Sequence, residues 1–279
     1  MSMISKKEQA KQKISQNIHL FKCVICNSPM TMDDHQLTCS NNHRFDLAKQ
    51  GYLNLAPQAK KSNYSKELFQ ARQQLCQTGF YQELIDKLVE ALPSPSIRIL
   101  DAGTGEGSHL YQLAEKRKFQ DHTVGVDLAK EGIQVAASGY AEPIWIVSDL
   151  ANLPFQNNSF DVILNILSPS NYQSFLNVLT EDGLFVKVVP GANYLKELRD
   201  QLYEGTDKEE YTNQQVVTHF KKYFHLKDRI KIETSEHVSE ENFKHLVQMT
   251  PLTANHSVEQ LEYRSPVTLE LEVLVGERM

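Results

Sequence analysis

The sequence has few cysteines, no long apolar run and no repetitive segment. A transmembrane helix needs about 20 consecutive apolar residues, and no stretch approaches that length, so we predict no contact with a membrane. Residues 1–7 lack the apolar segment of a secretory signal peptide. We therefore expect a cytoplasmic protein whose four cysteines remain reduced, without a disulfide framework.

The composition is that of an ordinary globular protein, but the charge is unevenly distributed. Of the 279 residues, 41% are hydrophobic and 23% are charged, which suits one large domain or a domain with a small appendage. Residues 1–72 contain 11 Lys and Arg against 5 Asp and Glu, so this segment carries +6 and the remainder −12. A basic segment on an acidic body is expected where only that segment meets phosphate groups. A solvated charged surface is the alternative.

A glycine turn organises the centre of the chain. Residues 97–107 read Ile-Arg-Ile-Leu-Asp-Ala-Gly-Thr-Gly-Glu-Gly and precede a helical pattern, which predicts a buried strand, a tight turn and a helix N-terminus. In α/β sheets such a turn holds a ligand at the carboxyl end of the strand. Three interpretations stay open: a dinucleotide-binding turn, whose G-x-G-x-x-G spacing differs from this one, a turn without a ligand, and a turn that binds S-adenosylmethionine.

Acidic residues end this strand and the two strands that follow, which favours the third interpretation. The Asp-x-Gly-x-Gly-x-Gly turn resembles motif I of class I methyltransferases, in which a carboxylate suits the amino group of S-adenosylmethionine. Asp127 stands where a carboxylate can accept hydrogen bonds from both ribose hydroxyls, and Asp149 and Leu150 stand where these enzymes hold the adenine. The cofactor-binding residues predicted in these segments are Asp101, Gly103, Gly105, Glu106, Gly107, Asp127, Asp149 and Leu150.

A second motif lies near the N-terminus, where Cys23, Cys26, Cys39 and His43 have the spacing C-x2-C-x12-C-x3-H. Two close pairs separated by about a dozen residues predict a tetrahedral zinc site, and four protein ligands make that zinc structural. A redox Cys-x-x-Cys or unrelated buried thiols are the alternatives. His35 lies inside the loop, but its spacing from the third cysteine runs in the wrong direction for a ligand.

A resemblance to one family covers nearly the whole chain from residue 21 onward. Residues 43–55 read His-x-Phe-Asp-x-Ala-Lys-x-Gly-Tyr-x-Asn-Leu and are followed by the glycine turn. Together with Gln-Ala-Arg at 70–72, Gly-Phe-Tyr-Gln at 79–82 and Gln-Met-Thr-Pro at 248–251, this order resembles the 23S rRNA (guanine-N1)-methyltransferases. The sequence is thus expected to form an α/β class I methyltransferase fold, Rossmann-like, with a seven-stranded sheet and a small N-terminal zinc-binding domain.

The resemblance implies an activity and partners. It implies methyl transfer from S-adenosylmethionine to N1 of a guanine in a 23S rRNA hairpin that lines the peptide exit tunnel near the macrolide site. The partner would be 23S rRNA or the assembling large ribosomal subunit, and the family suggests a homodimer whose two zinc heads form an RNA cleft. It also places Tyr81 and Tyr194 near the cofactor, although histidine is common in the family at the second position.

The predicted division of the chain is a zinc-binding RNA-recognition domain at 1–56, a basic linker at 57–72 and a methyltransferase domain at 73–279. Loss of zinc is expected to impair RNA methylation and to leave cofactor binding intact. Basic and aromatic side chains around the linker can contact phosphates and stack on an unpaired base, or simply pack on their neighbours. The candidate RNA-binding residues are Arg44, Lys49, Tyr52, Lys60, Lys61 and Lys66.

No catalytic residue is identified from the sequence. Guanine N1 carries a proton at neutral pH, which must leave before or during methyl transfer. The Ser-Pro-Ser turn at 168–170 differs from the Asn/Asp-Pro-Pro-aromatic turn of enzymes that methylate exocyclic amines, which disfavours that chemistry. A small-molecule methyltransferase and a non-catalytic RNA-binding protein on the same fold are the other functions considered.

Overall fold

A computed structural model describes residues 4–56, 64–206, 210–253 and 261–279. Within these ranges the strands are β1 (Met30–Asp33), β2 (Gln36–Cys39), β3 (Arg44–Asp46), β4 (Tyr52–Asn54), β5 (Arg98–Ala102), β6 (His122–Asp127), β7 (Ile144–Val147), β8 (Phe160–Ile166), β9 (Leu179–Pro190), β10 (Phe224–Glu236) and β11 (Val267–Arg278). The helices are α1 (Lys6–Gln16), α2 (Lys66–Gln77), α3 (Gln82–Ala91), α4 (Ser108–Lys116), α5 (Lys130–Gly139), α6 (Tyr172–Val178), α7 (Lys196–Tyr203), α8 (Gln214–Phe220) and α9 (Glu240–Met249).

The large sheet has the strand order β10-β11-β9-β8-β5-β6-β7-β4. Strands β4 to β9 pair in parallel, whereas β11 runs antiparallel to both β9 and β10. The central strands read as continuous apolar runs because both of their faces are covered by helices. The seven strands and the final antiparallel hairpin predicted from the sequence are present, and β4 from the N-terminal segment adds an eighth.

Two apolar clusters cover the two faces of this sheet. One contains the buried side chains of α3, α4, α5 and α9, and the other contains those of α1, α6 and α8. The N-terminal sheet β1-β2-β3 packs into the second cluster, where Leu37 and Phe45 belong to the same core as Phe155 and Phe175. The N-terminal zinc-binding segment (the head, residues 1–56 as predicted) and the main domain therefore share a core. This shared core does not support the expectation that cofactor binding is independent of zinc.

Part of the segment predicted as a linker is helical. Ser65 caps α2 by accepting a hydrogen bond from the backbone N–H of Leu68, and Phe69 and Ala71 are buried against the main domain. Residues 57–63 lie outside the described ranges, so the division of the chain at 56 and 72 stays a prediction. None of the helices in the described ranges has the length and apolar character needed to cross a bilayer.

Candidate active site and metal centre

The four predicted zinc ligands lie together. Two of them, Cys23 and Cys26, occupy the turn before β1, whereas Cys39 ends β2 and His43 precedes β3. Their ligand atoms all lie within 4.8 Å of one another. The Nδ1 of His43 is 3.5 Å from the Sγ of Cys23 and 3.4 Å from that of Cys39. A zinc–sulfur bond of about 2.3 Å and a zinc–nitrogen bond of about 2.0 Å imply tetrahedron edges near these lengths, so the donor set fits zinc.

The chemistry around this cluster also suits a metal. The side-chain and backbone hydrogen bonds of Ser28 lower the pKa of Cys26 to about 5, which favours the thiolate that binds zinc. His35, the rival ligand, contacts the carboxylates of Glu8 and Asp34 at 3.3 and 3.0 Å instead.

The glycine turn follows β5 in the conformation that its sequence requires. Gly103 and Gly107 have φ of 90° and 80°, in the left-handed region that favours glycine. A Cβ on Gly103 would lie 1.9 Å from the Oγ of Ser168, and one on Gly107 would lie 2.3 Å from the ring of Trp145. The turn is therefore pressed against the loop after β8 on one side and against β7 on the other.

The acids at the ends of β6 and β7 differ in their surroundings. Asp127 accepts hydrogen bonds from the backbone N–H groups of Gly105 and Ala129, at 2.9 and 2.8 Å, and so holds the glycine turn against β6. Its burial raises the pKa of its carboxyl. Asp149 is exposed and accepts a hydrogen bond from the N–H of Ala151 at 2.9 Å, and Leu150 is half-buried beside it.

A cavity of about 720 Å³ opens at the carboxyl ends of β5, β8 and β9. This volume lies within the range of small-molecule sites. Of the predicted cofactor residues, the structure brings four together in the lining of this cavity: Tyr81, Asp101, Gly103 and Tyr194. The other six lie in the glycine turn or at the ends of the neighbouring strands and do not line it: Gly105, Glu106, Gly107, Asp127, Asp149 and Leu150.

One end of the cavity holds buried polar atoms without hydrogen-bond partners. They are Asp101 Oδ1 and His109 Nε2, with Glu106 Oε2 buried beside them. Burial raises the pKa of Asp101 to about 7, and burial together with the charge of Arg72 lowers the pKa of His109 to about 3. Because buried polar atoms are nearly always satisfied, these orphaned atoms fit a ligand that carries a cationic amino group.

Sequence reasoning missed two side chains at this end. Arg72 is the last residue of the predicted basic linker, but its Nε lies 3.8 Å from Glu106 Oε2 and its side chain lines the cavity. The ring of His109 on α4 packs edge-on against Tyr81, with centroids 4.9 Å apart. The hydroxyls of Tyr81 and Tyr194 are 3.1 Å apart, so the two predicted tyrosines form one wall.

Sequence reasoning also missed the polar side chains at the other end of the cavity, where it borders the loop after β8. Lys187 on β9 is 5% exposed, and its Nζ donates to Asn165 Oδ1 at 2.6 Å, to the Ser168 carbonyl at 3.0 Å and to Ser170 Oγ at 2.7 Å. Asn165 in turn donates to the carbonyls of Ala102 and Pro169, at 2.6 and 3.1 Å. The only sequence signal is a polar residue that interrupts an apolar run in each strand, Asn165 within 162–166 and Lys187 within 184–189.

Four of the six candidate RNA-binding residues lie in the part of the chain that the structure describes. Arg44, Lys49 and Lys66 are exposed, whereas Lys60 and Lys61 lie outside the described residues. Tyr52 is 5% exposed, because β4 carries it into the main core beside Trp145. Its ring therefore offers no free face to an RNA base.

Comparisons with known proteins match both parts of the chain. Residues 21–63 match the zinc-ribbon family described as RlmA, N-terminal, and residues 93–252 match a methyltransferase domain family. The Bacillus subtilis protein YxjB, provisionally named a 23S rRNA (guanine-N1)-methyltransferase, is 34% identical over 272 residues, covering 92% of this chain and 96% of that protein.

Two further similarities extend these matches. The 23S rRNA (guanine(748)-N1)-methyltransferase of Streptomyces fradiae is 28% identical over 194 residues, covering 66% of this chain and 68% of its own. A solved chain from the complex between the Haloferax volcanii Trm112 methyltransferase activator and a protein assigned as a methyltransferase has a TM-score of 0.50 at 16% identity, covering 78% of this chain and 100% of that one. The latter shows the fold alone.

Proposed function

The chain belongs to the family of 23S rRNA (guanine-N1)-methyltransferases, and we propose that its target is a guanine in the 23S rRNA hairpin that lines the peptide exit tunnel near the macrolide site. It is an enzyme that uses S-adenosylmethionine, and its zinc is structural. The substrate is 23S rRNA, free or in the assembling large subunit. A basic head beside an acidic body supports an RNA substrate over a small molecule.

S-adenosylmethionine supplies the activated methyl group when it is bound. The orphaned Asp101 Oδ1 suits its amino group, and Arg72 lies at the same end, where a carboxylate would be attracted. The proposed cofactor-binding residues are Tyr81, Asp101, Gly103, Gly105, Glu106, Gly107, Asp127, Asp149, Leu150 and Tyr194. Asp127 and Glu106 act from behind the glycine turn in this proposal, since they do not line the cavity.

The loop after β8 carries the choice of a ring nitrogen over an exocyclic amine. An amine that is methylated keeps hydrogen atoms that need acceptors nearby. The Ser168 carbonyl here already accepts from Lys187, and the Pro169 carbonyl accepts from Asn165. Each carbonyl thus already has one donor, and the ammonium of Lys187 lies against the loop. A positive charge at this position suits a substrate atom that loses its proton, as guanine N1 does.

The outer wall of the cavity suits a planar base. Tyr172 lies with its ring centroid 5.1 Å from that of His219, and further tyrosines line the same cavity: Tyr194, Tyr203 and Tyr211. A guanine in a hairpin must leave its stack to reach a buried methyl donor, and aromatic walls receive such bases. Arg44, Lys49 and Lys66, with Lys60 and Lys61, are proposed to contact the RNA backbone.

We include a homodimer in the proposal, with two zinc heads forming one RNA cleft. The family resemblance supports this arrangement. Sedimentation equilibrium of the free protein and of its complex with an RNA hairpin tests it, because a single-protomer mass in both samples would contradict the dimer.

The test of the proposed function is tritium transfer from labelled S-adenosylmethionine to 23S rRNA and large subunits from cells that lack this protein. Primer extension maps the product, since N1 methylation blocks Watson–Crick pairing and stops the polymerase. We expect one stop in the exit-tunnel hairpin. Incorporation elsewhere in 23S rRNA would overturn the proposed site, and no incorporation into any rRNA would favour a small-molecule substrate.

A further inference from the structure

Lys187 is a buried cation without a carboxylate partner. No ion pair joins its ammonium to an acid in the described part of the chain, and its three N–H bonds are taken by Asn165, Ser168 and Ser170. Burying an ammonium without an opposite charge is costly, and burial lowers the pKa of Lys187 to about 8. A charge kept at that cost beside a cavity needs an explanation.

The hydrogen bonds around Lys187 have a fixed direction. Asn165 Nδ2 donates to two carbonyls, so its Oδ1 must accept, and it does so from Ser170 Oγ at 2.7 Å and from Lys187. Ser170 Oγ therefore accepts from Lys187. All three partners of Nζ act as acceptors, which holds the ammonium protonated and fixes the loop at 168–170.

We propose that Lys187 is a positioning residue that stabilises the negative charge developing on N1 and O6 of the target guanine. This inference rests on the proposed function. Because its N–H bonds are taken, Lys187 acts through its field and through the loop that it orients, without touching the base. A preorganised charge in a water-poor site stabilises a developing anion without reorganising during the reaction.

Atoms and charges balance in the methyl transfer that Lys187 assists. The N1–H proton passes to water, and the electron pair left on N1 forms the new N–C bond. The C–S bond of the sulfonium breaks with its pair kept on sulfur, so an anion and a cation become two neutral products.

Other titratable groups border the same cavity, and none duplicates the position of Lys187. Arg72 lies beside Glu106 at the cofactor end, and Arg199 donates to the Ala192 carbonyl and lies over the ring of Tyr211. The remaining titratable groups of the lining are Tyr81, Asp101, His109, Tyr172, Tyr194, Tyr203, Tyr211 and His219. Among the lining residues, Lys187 is thus the cation that borders the loop after β8.

The test compares Lys187→Met with wild type in a pH series of the single-turnover methylation rate. At about pH 7 the variant should be slower by about 100-fold, as when a preorganised donor is removed from an enzyme. The gap should narrow as pH rises, because guanine N1 then loses its proton unaided and Lys187 itself becomes neutral above its pKa of about 8. A gap that stays constant across the pH series would overturn the proposal.

Two controls separate this effect from unfolding. Lys227→Met makes the same exchange at an exposed position on β10, so its rate should equal that of wild type. Affinity for S-adenosylhomocysteine, measured by calorimetry, should be unchanged in Lys187→Met.

If that variant does not fold, Lys187→Gln removes the charge while keeping an N–H donor, and Lys187→Arg keeps the charge. Lys187→Gln should then show the pH-dependent gap, and Lys187→Arg should show a smaller one. Equal gaps in the two would contradict a role for charge. Failure of the proposed function is distinguishable, since wild type itself would then give no 1-methylguanosine at any pH.

Discussion

Carboxyl groups predominate at one end of the cavity, whereas the other end has a buried lysine. The cofactor end has three carboxyl groups, Asp101 in the lining and Glu106 and Asp127 behind it, with Arg72 beside Glu106. The substrate end has Lys187 and no carboxylate hydrogen-bonded to it among the described residues. The methyl donor is a cation, and guanine becomes an anion as it loses its proton. Each end is therefore complementary to the charge of the molecule proposed to bind there. Methyl transfer neutralises the sulfonium and the guanine anion together.

The two ends meet at Gly103, so its substitution should have the largest effect. In Gly103→Ala the new Cβ would overlap the Oγ of Ser168, at 1.9 Å, and would separate the turn from the loop after β8. We expect methylation to fall by more than about 100-fold, the scale at which a displacement of about 1 Å acts on a reaction. Methylation kinetics and cofactor calorimetry measure the loss.

The matched control is Gly79→Ala. Gly79 has a φ of 87°, close to the 90° of Gly103, but a Cβ there would meet nothing within 4 Å. It should cost about 1 kcal/mol of stability, since a non-glycine residue is strained in this region, and leave activity intact. Equal losses in the two variants would show that backbone strain, and not the junction, is responsible.

Zinc removal should weaken cofactor binding at the acidic end of the cavity. The turn that carries Cys23 and Cys26 lies against the loop after β7. Asn152 Nδ2 donates to the Val24 carbonyl at 3.1 Å, and the backbone N–H of Lys22 donates to the Pro154 carbonyl at 2.9 Å. We expect His43→Asn to weaken zinc binding by more than about 10-fold, since even loss of a supporting contact costs that much. Metal analysis and calorimetry should show weaker cofactor binding together with zinc loss.

His35→Asn is the matched variant here, and it should keep zinc and cofactor affinity because the imidazole of His35 pairs with the carboxylates of Glu8 and Asp34 instead of the metal. Full cofactor affinity in zinc-free His43→Asn would mean that the head and the main domain are separable after all.

Asp101→Asn should weaken cofactor binding at the acidic end, with a smaller effect than the two changes above. Its affinity for S-adenosylmethionine should fall roughly tenfold to a hundredfold, because a hydrogen bond to a charged group contributes about 1.5–3 kcal/mol. With its pKa raised to about 7, the carboxyl of the free protein is protonated below that pH. Wild-type affinity should therefore rise with pH up to about 7 and then level off, whereas Asp101→Asn should show no such rise.

Asp149→Asn provides the comparison, since this exposed acid at the same edge should change affinity only a few-fold. A larger loss in Asp149→Asn than in Asp101→Asn would refute the ranking of buried over exposed acids.

The glycine turn and the acids of the cofactor end could be predicted from the sequence, whereas Arg72 and His109 at that end and Lys187 at the other could not. The glycine turn and the zinc ligands are local patterns, so their spacing reveals them directly. Asn165 and Lys187 stand 22 positions apart, and only the parallel register of β8 with β9 places them opposite each other. Similarly, β4 is three residues long and shows no alternation, so its pairing with β7 depends on tertiary structure.

We expect the enzyme to methylate a ring nitrogen of guanine in this cavity. Mass spectrometry of nucleosides from digested 23S rRNA, after reaction with the wild-type protein and isotopically labelled S-adenosylmethionine, tests it most directly. The structure predicts labelled 1-methylguanosine as the product. Labelled N2-methylguanosine or N6-methyladenosine would contradict this expectation, because the ammonium of Lys187 beside the loop after β8 is proposed to stabilise a ring nitrogen that loses its proton.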